Sequence, residues 1–138
     1  MINKIEMPQS ALKQFNKWNF QKKSLNKNNK TVFFHQREVW FLCIGENIGF
    51  EQNGKGENFI RPVIIYKKFS SNVFLGIPLT SKMKNGRFYF SFNLKKQFST
   101  AILSQIRLFD VKRLKYLHGR ISNGCFTELK EKLIELIQ

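Results

Sequence analysis

Hydrophobic and polar positions change rhythm twice along the chain, and each rhythm predicts a different element. In residues 1–30 apolar side chains are sparse, and Leu12, Phe15, Trp18 and Leu25 recur at roughly helical spacing with lysines elsewhere round the wheel. Ser10 stands where a helix cap belongs, so an amphipathic basic helix is expected, ending in the Asn/Lys stretch 26–30, which has nothing to bury and reads as a linker. From Glu38 the texture turns to short strands. Residues 38–44 and 61–66 are aromatic or β-branched on both faces, with Pro62 at the opening of the second run, and should be central strands. Residues 72–79 make a third strand. In 87–92 Phe88, Phe90 and Phe92 alternate against Tyr89 and Ser91, and 100–109 reads as a fifth strand. Lys84-Asn85-Gly86-Arg87 has hairpin-turn chemistry before the fourth strand. A short strand is expected at 115–120, then a helix capped at Ser122 or Asn123 with Phe126, Leu129, Leu133, Leu136 and Ile137 on one face. Closely spaced strands and one late helix, with no strand-helix alternation, predict a mainly β, α+β domain: a small antiparallel barrel or coiled sheet with a packed C-terminal helix.

One connection breaks this pattern. Residues 45–60 form a polar loop with four glycines, and long loops in compact domains are usually functional or mobile. The chain divides accordingly into a basic helical arm and linker, residues 1–32, and a single folded domain, residues 33–138. At 138 residues there is room for one proper core and little more. No apolar run approaches the length of a membrane span and the N-terminus lacks a signal-peptide core, so no membrane association and a cytoplasmic location are expected. Cys43 and Cys125 have no zinc-site spacing and read as reduced, packed thiols.

Charge adds a partner. Twenty-four Lys and Arg against nine Asp and Glu give a formal net charge of +15, which implies a polyanion. Between Glu57 and Asp110 there is no carboxylate, while Arg61, Lys67, Lys68, Lys82, Lys84, Arg87, Lys95, Lys96 and Arg107 all fall there, so one face of the domain should be uniformly positive.

Six short stretches stand in an order that resembles the MazF/PemK toxins. They are Glu38-Val39-Trp40, Gly49-Phe50-Glu51-Gln52, Arg61-Pro62-Val63-Ile64-Ile65, Ile77-Pro78-Leu79-Thr80-Ser81, Leu103-Ser104-Gln105-Ile106-Arg107 and Asp110-Val111-Lys112-Arg113-Leu114. The resemblance runs from Glu38 to the C-terminus and leaves the arm outside. It implies an SH3-like antiparallel barrel of the CcdB/PemK type, a homodimer, and a cognate antitoxin. It also implies cleavage of single-stranded RNA by 2′-OH attack to give a 2′,3′-cyclic phosphate, with no cofactor and no metal. Catalysis in relatives rests chiefly on residues that match Arg61 and Thr80, with a functional acid at Glu51. The chain departs from the family in a longer loop before Arg61, in Ser104 where an Asp is usual, and in Phe50.

The chemistry of the residues is consistent with that reading. Transesterification needs a base, an acid and support for the developing charge on phosphorus. Arg61 suits the last role because a guanidinium stays charged and offers a fork of donors to phosphoryl oxygens. Thr80 can donate to the same phosphate, with Ser81 beside it. The base is open among Glu51, which is preferred, Glu57, His118 and His35. Gln52, Lys55, Ser81, Lys82, Arg87, Gln105 and Arg107 are candidate RNA contacts. Trp40, Phe50, Phe59 and Tyr89 are candidate stacking surfaces, Trp40 being the one expected in the core. The arm, without acid-base groups apart from Glu6, is expected to add RNA affinity or antitoxin contact. Two other functions fit the fold: a gyrase-poisoning toxin like CcdB, or a non-catalytic SH3-like nucleic-acid-binding module.

Overall fold

A computed structural model describes residues 13–29 and 31–138. The elements run α1 (Phe15–Lys27), β1 (Glu38–Cys43), β2 (Ile60–Lys68), β3 (Val73–Thr80), β4 (Tyr89–Leu94), β5 (Gln97–Ile102), β6 (Arg107–Asp110), β7 (Leu114–Arg120) and α2 (Asn123–Ile137). The seven strands are antiparallel in the order β4-β5-β3-β2-β1-β7, with β6 set beside β3, and the sheet curls into a half-barrel. The curl originates in β3. Its first half pairs with β6, from Val73↔Asp110 to Gly76↔Arg107, whereas its last two residues, Leu79 and Thr80, pair with β5. Gly76 lies at the changeover, where a Cβ would meet Val63 Cγ1 at 2.7 Å.

The doubly apolar strands divide their side chains between two cores. Val39, Ile64, Ile77 and Leu79 join Phe92, Leu103 and the Phe126, Leu129 and Leu133 stripe of α2; Trp40, Leu42, Val63, Ile65, Phe74 and Phe109 fill the other face. Period-two alternation in strands covered on both sides accounts for this partition. Burying a side chain such as Leu129 or Leu133 contributes about 1.5–3 kcal/mol, enough to fasten α2 to the sheet. Ser122 Oγ accepts the Cys125 amide at 3.1 Å and starts the helix as the sequence predicts, although Ile137 at its end is exposed.

Three features differ from the pattern reading. Residues 100–109 are not one strand but β5, a 3-10 turn at Leu103–Gln105 and β6, which leave in different directions. Gly86 does take a positive φ of 119° before β4, yet β3 and β4 are not partners. The two-residue hairpin turn is Lys95-Lys96, with φ values of 52° and 64° between the paired Leu94 and Gln97, the geometry usually taken by Asn-Gly. The predicted cap Ser10 and Leu12 lie outside the described residues. The first helix extends to Lys27 and buries Trp18. Among the described residues, no helix is long and apolar enough to cross a membrane.

Candidate active site

Arg61 follows Ile60 at the start of β2. The β2–β3 register, continued two residues beyond Val63↔Pro78, sets Arg61 opposite Thr80. Its guanidinium is held by backbone alone: Nε donates to the carbonyl of Asn53 in the long loop at 2.6 Å, and Nη1 to that of Leu79 in β3 at 3.0 Å. Desolvation lowers the Arg61 pKa from its usual value, but a guanidinium starts so high that it stays charged. Among the described residues the only side-chain contact at salt-bridge distance is His35 Nδ1 to Glu38 at 3.5 Å, so none places a carboxylate beside Arg61.

Thr80 ends β3 and is 9% exposed. Its Oγ1 accepts from the Lys82 amide at 3.3 Å, which fixes the hydroxyl and leaves its own proton for an acceptor. Arg61, Thr80 and Lys55 line two hollows together. One, of about 460 Å³, continues past Ser81 to Phe41, Phe98 and His118. The other, of about 390 Å³, contains Gln52, Lys82, Tyr89 and Gln105. Among the described residues, neither hollow is lined by an Asp or Glu. A charged, preorganised donor in a carboxylate-free cleft is suited to an anion, and the aromatic walls are suited to unpaired bases.

Other sequence candidates lie elsewhere. Glu51 lines a third hollow with Gln52, Gln105 and Arg107, not with Arg61, and its Oε1 accepts the Ile48 amide at 3.1 Å. Gln105 clamps the loop, accepting from Gln52 N at 3.2 Å and donating to Phe50 O at 3.0 Å. Arg107 lies over the Phe109 ring at 4.7 Å and Arg87 over Phe88 at 5.0 Å; Arg87 lines none of the three hollows. Glu57 and His35 line none of them either, and His35 pairs with Glu38. Phe59 is buried and cannot stack on a base, Trp40 is core as expected, and Phe50 is fully exposed.

Among the described residues, His118 is the one His, Asp or Glu that lines the larger hollow together with Arg61 and Thr80. It extends from β7 with its ring edge-on to Phe41 at 5.3 Å. Phe41 and Phe98 are further wall residues that the pattern reading passed over. Nothing in the sequence singled out Phe41, which is half-buried in a strand whose neighbours are core residues. Among the described residues no three His, Cys, Asp or Glu side chains gather to hold a metal ion.

Sequence comparison with curated proteins gives no significant match. Among solved structures, MazF from Deinococcus radiodurans superposes with a TM-score of 0.63 at 18% identity, over 77% of this chain and 97% of that one. An endoribonuclease in complex with its cognate antitoxin from a mycobacterial species gives 0.58 at 9% identity, over 76% and 95%. The Mycobacterium tuberculosis toxin MazF-mt6 gives 0.55 at 14% identity, over 73% and 96%. At these identities the likeness establishes the fold. The family model for the PemK-like, MazF-like toxins of type II toxin–antitoxin systems matches residues 35–137, from just before β1 to the end of α2. The chain therefore belongs to the PemK/MazF-like toxin family.

Proposed function

We propose that this toxin is an endoribonuclease that cuts single-stranded RNA without a metal. The observation that carries the reading is Arg61, anchored by two backbone carbonyls, without a carboxylate partner among the described residues, and opposite Thr80 at the junction of two hollows. In the proposed reaction the ribose 2′-oxygen attacks its own phosphorus and the P–O5′ bond breaks, giving a 2′,3′-cyclic phosphate and a 5′-OH. Arg61 and Thr80 hydrogen-bond the phosphoryl oxygens as charge builds on them. His118 takes the 2′-OH proton, and the departing 5′-oxygen is protonated by water. Imidazole is suited to this because it exchanges a proton near neutral pH. Glu51, tied to the loop amide of Ile48, serves the loop. Gln52, Lys55, Ser81, Lys82 and Gln105 hold the strand in the two hollows, and Tyr89 and Phe98 stack its bases.

The protein works in this reading as a cytosolic homodimer. An acidic, largely disordered segment of the antitoxin occupies the same positive cleft and competes with RNA, because a charge of +15 steers any polyanion there. The test is digestion of a long single-stranded RNA in excess EDTA with both new ends mapped. Cleavage with cyclic-phosphate ends is expected, and a deoxyribose just 5′ of the cut should abolish it while binding persists. His118→Asn should slow the chemical step by about a hundredfold, and Glu51→Gln far less; the reverse ranking would put the base on the loop. RNA left intact by a protein that arrests DNA gyrase would overturn the nuclease reading.

A further inference from the structure

We propose that α1 is an intramolecular brace: Trp18 fixes the neck of the long loop and, through it, the guanidinium of Arg61, which makes Trp18 a positioning residue. The proposal rests on the reading that Arg61 serves the chemistry. Trp18 is the buried side chain of the helix, 6% exposed with Leu25 partly buried on the same cluster, whereas Phe15 and Phe20 are 47% and 79% exposed. The indole fills the space over Gly45, where a Cβ would stand 2.1 Å from Trp18 Cε2, and Gly45 has a φ of 88° that a side chain would strain. The Phe59 ring packs against the indole at 5.5 Å, and the Arg113 guanidinium lies over it at 5.8 Å.

Gly45 and Phe59 are the two sides of one neck. The amides of Ile44 and Gly45 both donate to the Phe59 carbonyl, at 2.9 and 3.2 Å. Two polar links, one from α1 and one from Lys13 just before it, reach the loop on either side of the indole. Gln21 Nε2 donates to the carbonyl of Asn58 at 2.9 Å; Lys13 Nζ donates to the carbonyls of Asn47 and, at 3.0 Å, Gly49.

From the neck to Arg61 the path is short. The Gly54 amide donates to the Gly45 carbonyl at 2.8 Å, and the adjacent Asn53 supplies the carbonyl that holds Arg61 Nε. Asn53 Oδ1 also accepts the Asn47 amide at 2.6 Å, closing the loop on itself. Displacing the neck therefore moves the acceptor that sets the rotation of the guanidinium. A loop this long costs conformational entropy to order, and a seated indole opposes that cost without adding any group to the cleft. The family match begins at residue 35, so α1 lies outside the residues it covers.

The experiment uses the full chain with two readouts: amide exchange across residues 45–59 without RNA, and single-turnover cleavage at saturating RNA. Trp18→Ala should speed exchange at Gly54 and Lys55 about tenfold and slow the chemical step by of order tenfold to a hundredfold with little change in KM. Trp18→Phe should restore most of both. Gln21→Leu should shift both in the same direction by less, with the indole still seated, and it decides the matter if Trp18→Ala does not fold. Removing the exposed charges of Lys17 and Lys23 together should raise KM and leave loop exchange unchanged. Unchanged exchange in a folded Trp18→Ala, or in Gln21→Leu when that is the folded variant, overturns the brace. Faster exchange with a wild-type rate overturns its coupling to Arg61. If the unaltered protein cuts no RNA, the nuclease reading fails by itself and the exchange measurement still decides whether α1 fixes the loop.

Discussion

Arg61 and Arg113 sit at opposite sides of the long loop and are alike in most respects. Both are half-buried, both have pKa values lowered chiefly by desolvation, and both donate to backbone carbonyls: Arg61 to Asn53 and Leu79, Arg113 to Cys43 and Ile44. Their surroundings differ. Arg113 lies under α1 in a hollow of about 210 Å³, with Trp18 across its face and Asp110 among the walls. Arg61 opens onto two larger hollows that no acid among the described residues lines. The same anchoring thus yields a structural clamp in one place and an unsatisfied cation in the other. What distinguishes them is the chemistry left beside the guanidinium after folding, and an Arg in a short motif does not reveal that.

The comparison breaks first at Arg61. Arg61→Ala should cost about 3–4 kcal/mol in the transition state, a loss of order a hundred- to a thousandfold in maximal rate, with fold and RNA affinity retained. Arg61→Lys should recover only part, because an ammonium cannot reproduce the fork. A variant that keeps its full rate at saturating RNA would make Arg61 a second Arg113. Arg113→Ala should show the opposite profile. Losing the charge-assisted hydrogen bonds from Arg113 to the Cys43 and Ile44 carbonyls is expected to cost about 2 kcal/mol of stability, read from the urea midpoint, while the folded protein loses much less rate than Arg61→Ala.

Smaller effects sharpen the contrast. Thr80→Val removes one hydroxyl from the Arg61 side and should slow single-turnover cleavage about tenfold, with Thr80→Ser near wild type. Arg87 packs on Phe88 away from the hollows, so Arg87→Ala should leave the maximal rate alone. It should reduce the slope of log affinity against log salt by about 1 at most.

The central strands were legible because apolar residues on both faces have one solution in a small domain, burial on both sides, and β1 and β2 take it. Ser122 announced α2 by its capping chemistry, and the order of the motifs pointed to Arg61 and Thr80 before the register set them opposite each other. The break at Leu103–Gln105 was not legible, since no Gly or Pro marks it and its cause is tertiary: β3 needs two different partners along its length. Lys95-Lys96 escaped for a related reason, as lysines reach positive φ only where the strand pairing demands it. Trp18 has helical spacing in the sequence, but its seat on Gly45 and Phe59 depends on contacts far along the chain. His118 belongs to the cleft only because β7 closes beside β1, and nothing local to Leu117-His118-Gly119 signals that.

That closure also sets an order of assembly. β2 with β3, and β4 with β5, pair as chain neighbours, whereas β1 must wait for β7 from the far end of the domain, and that seam carries two register shifts. Non-local pairing is slow to form, because the loop it closes is long. Refolding should therefore bring Arg61 and Thr80 together early, within one hairpin, and deliver His118 late. In the native ensemble, amide exchange across the β1–β7 seam reports how readily it opens. Under the proposed mechanism, a molecule opened at that seam would keep Arg61 and Thr80 together but lack His118, so local unfolding there would silence the cleft while leaving it able to hold RNA.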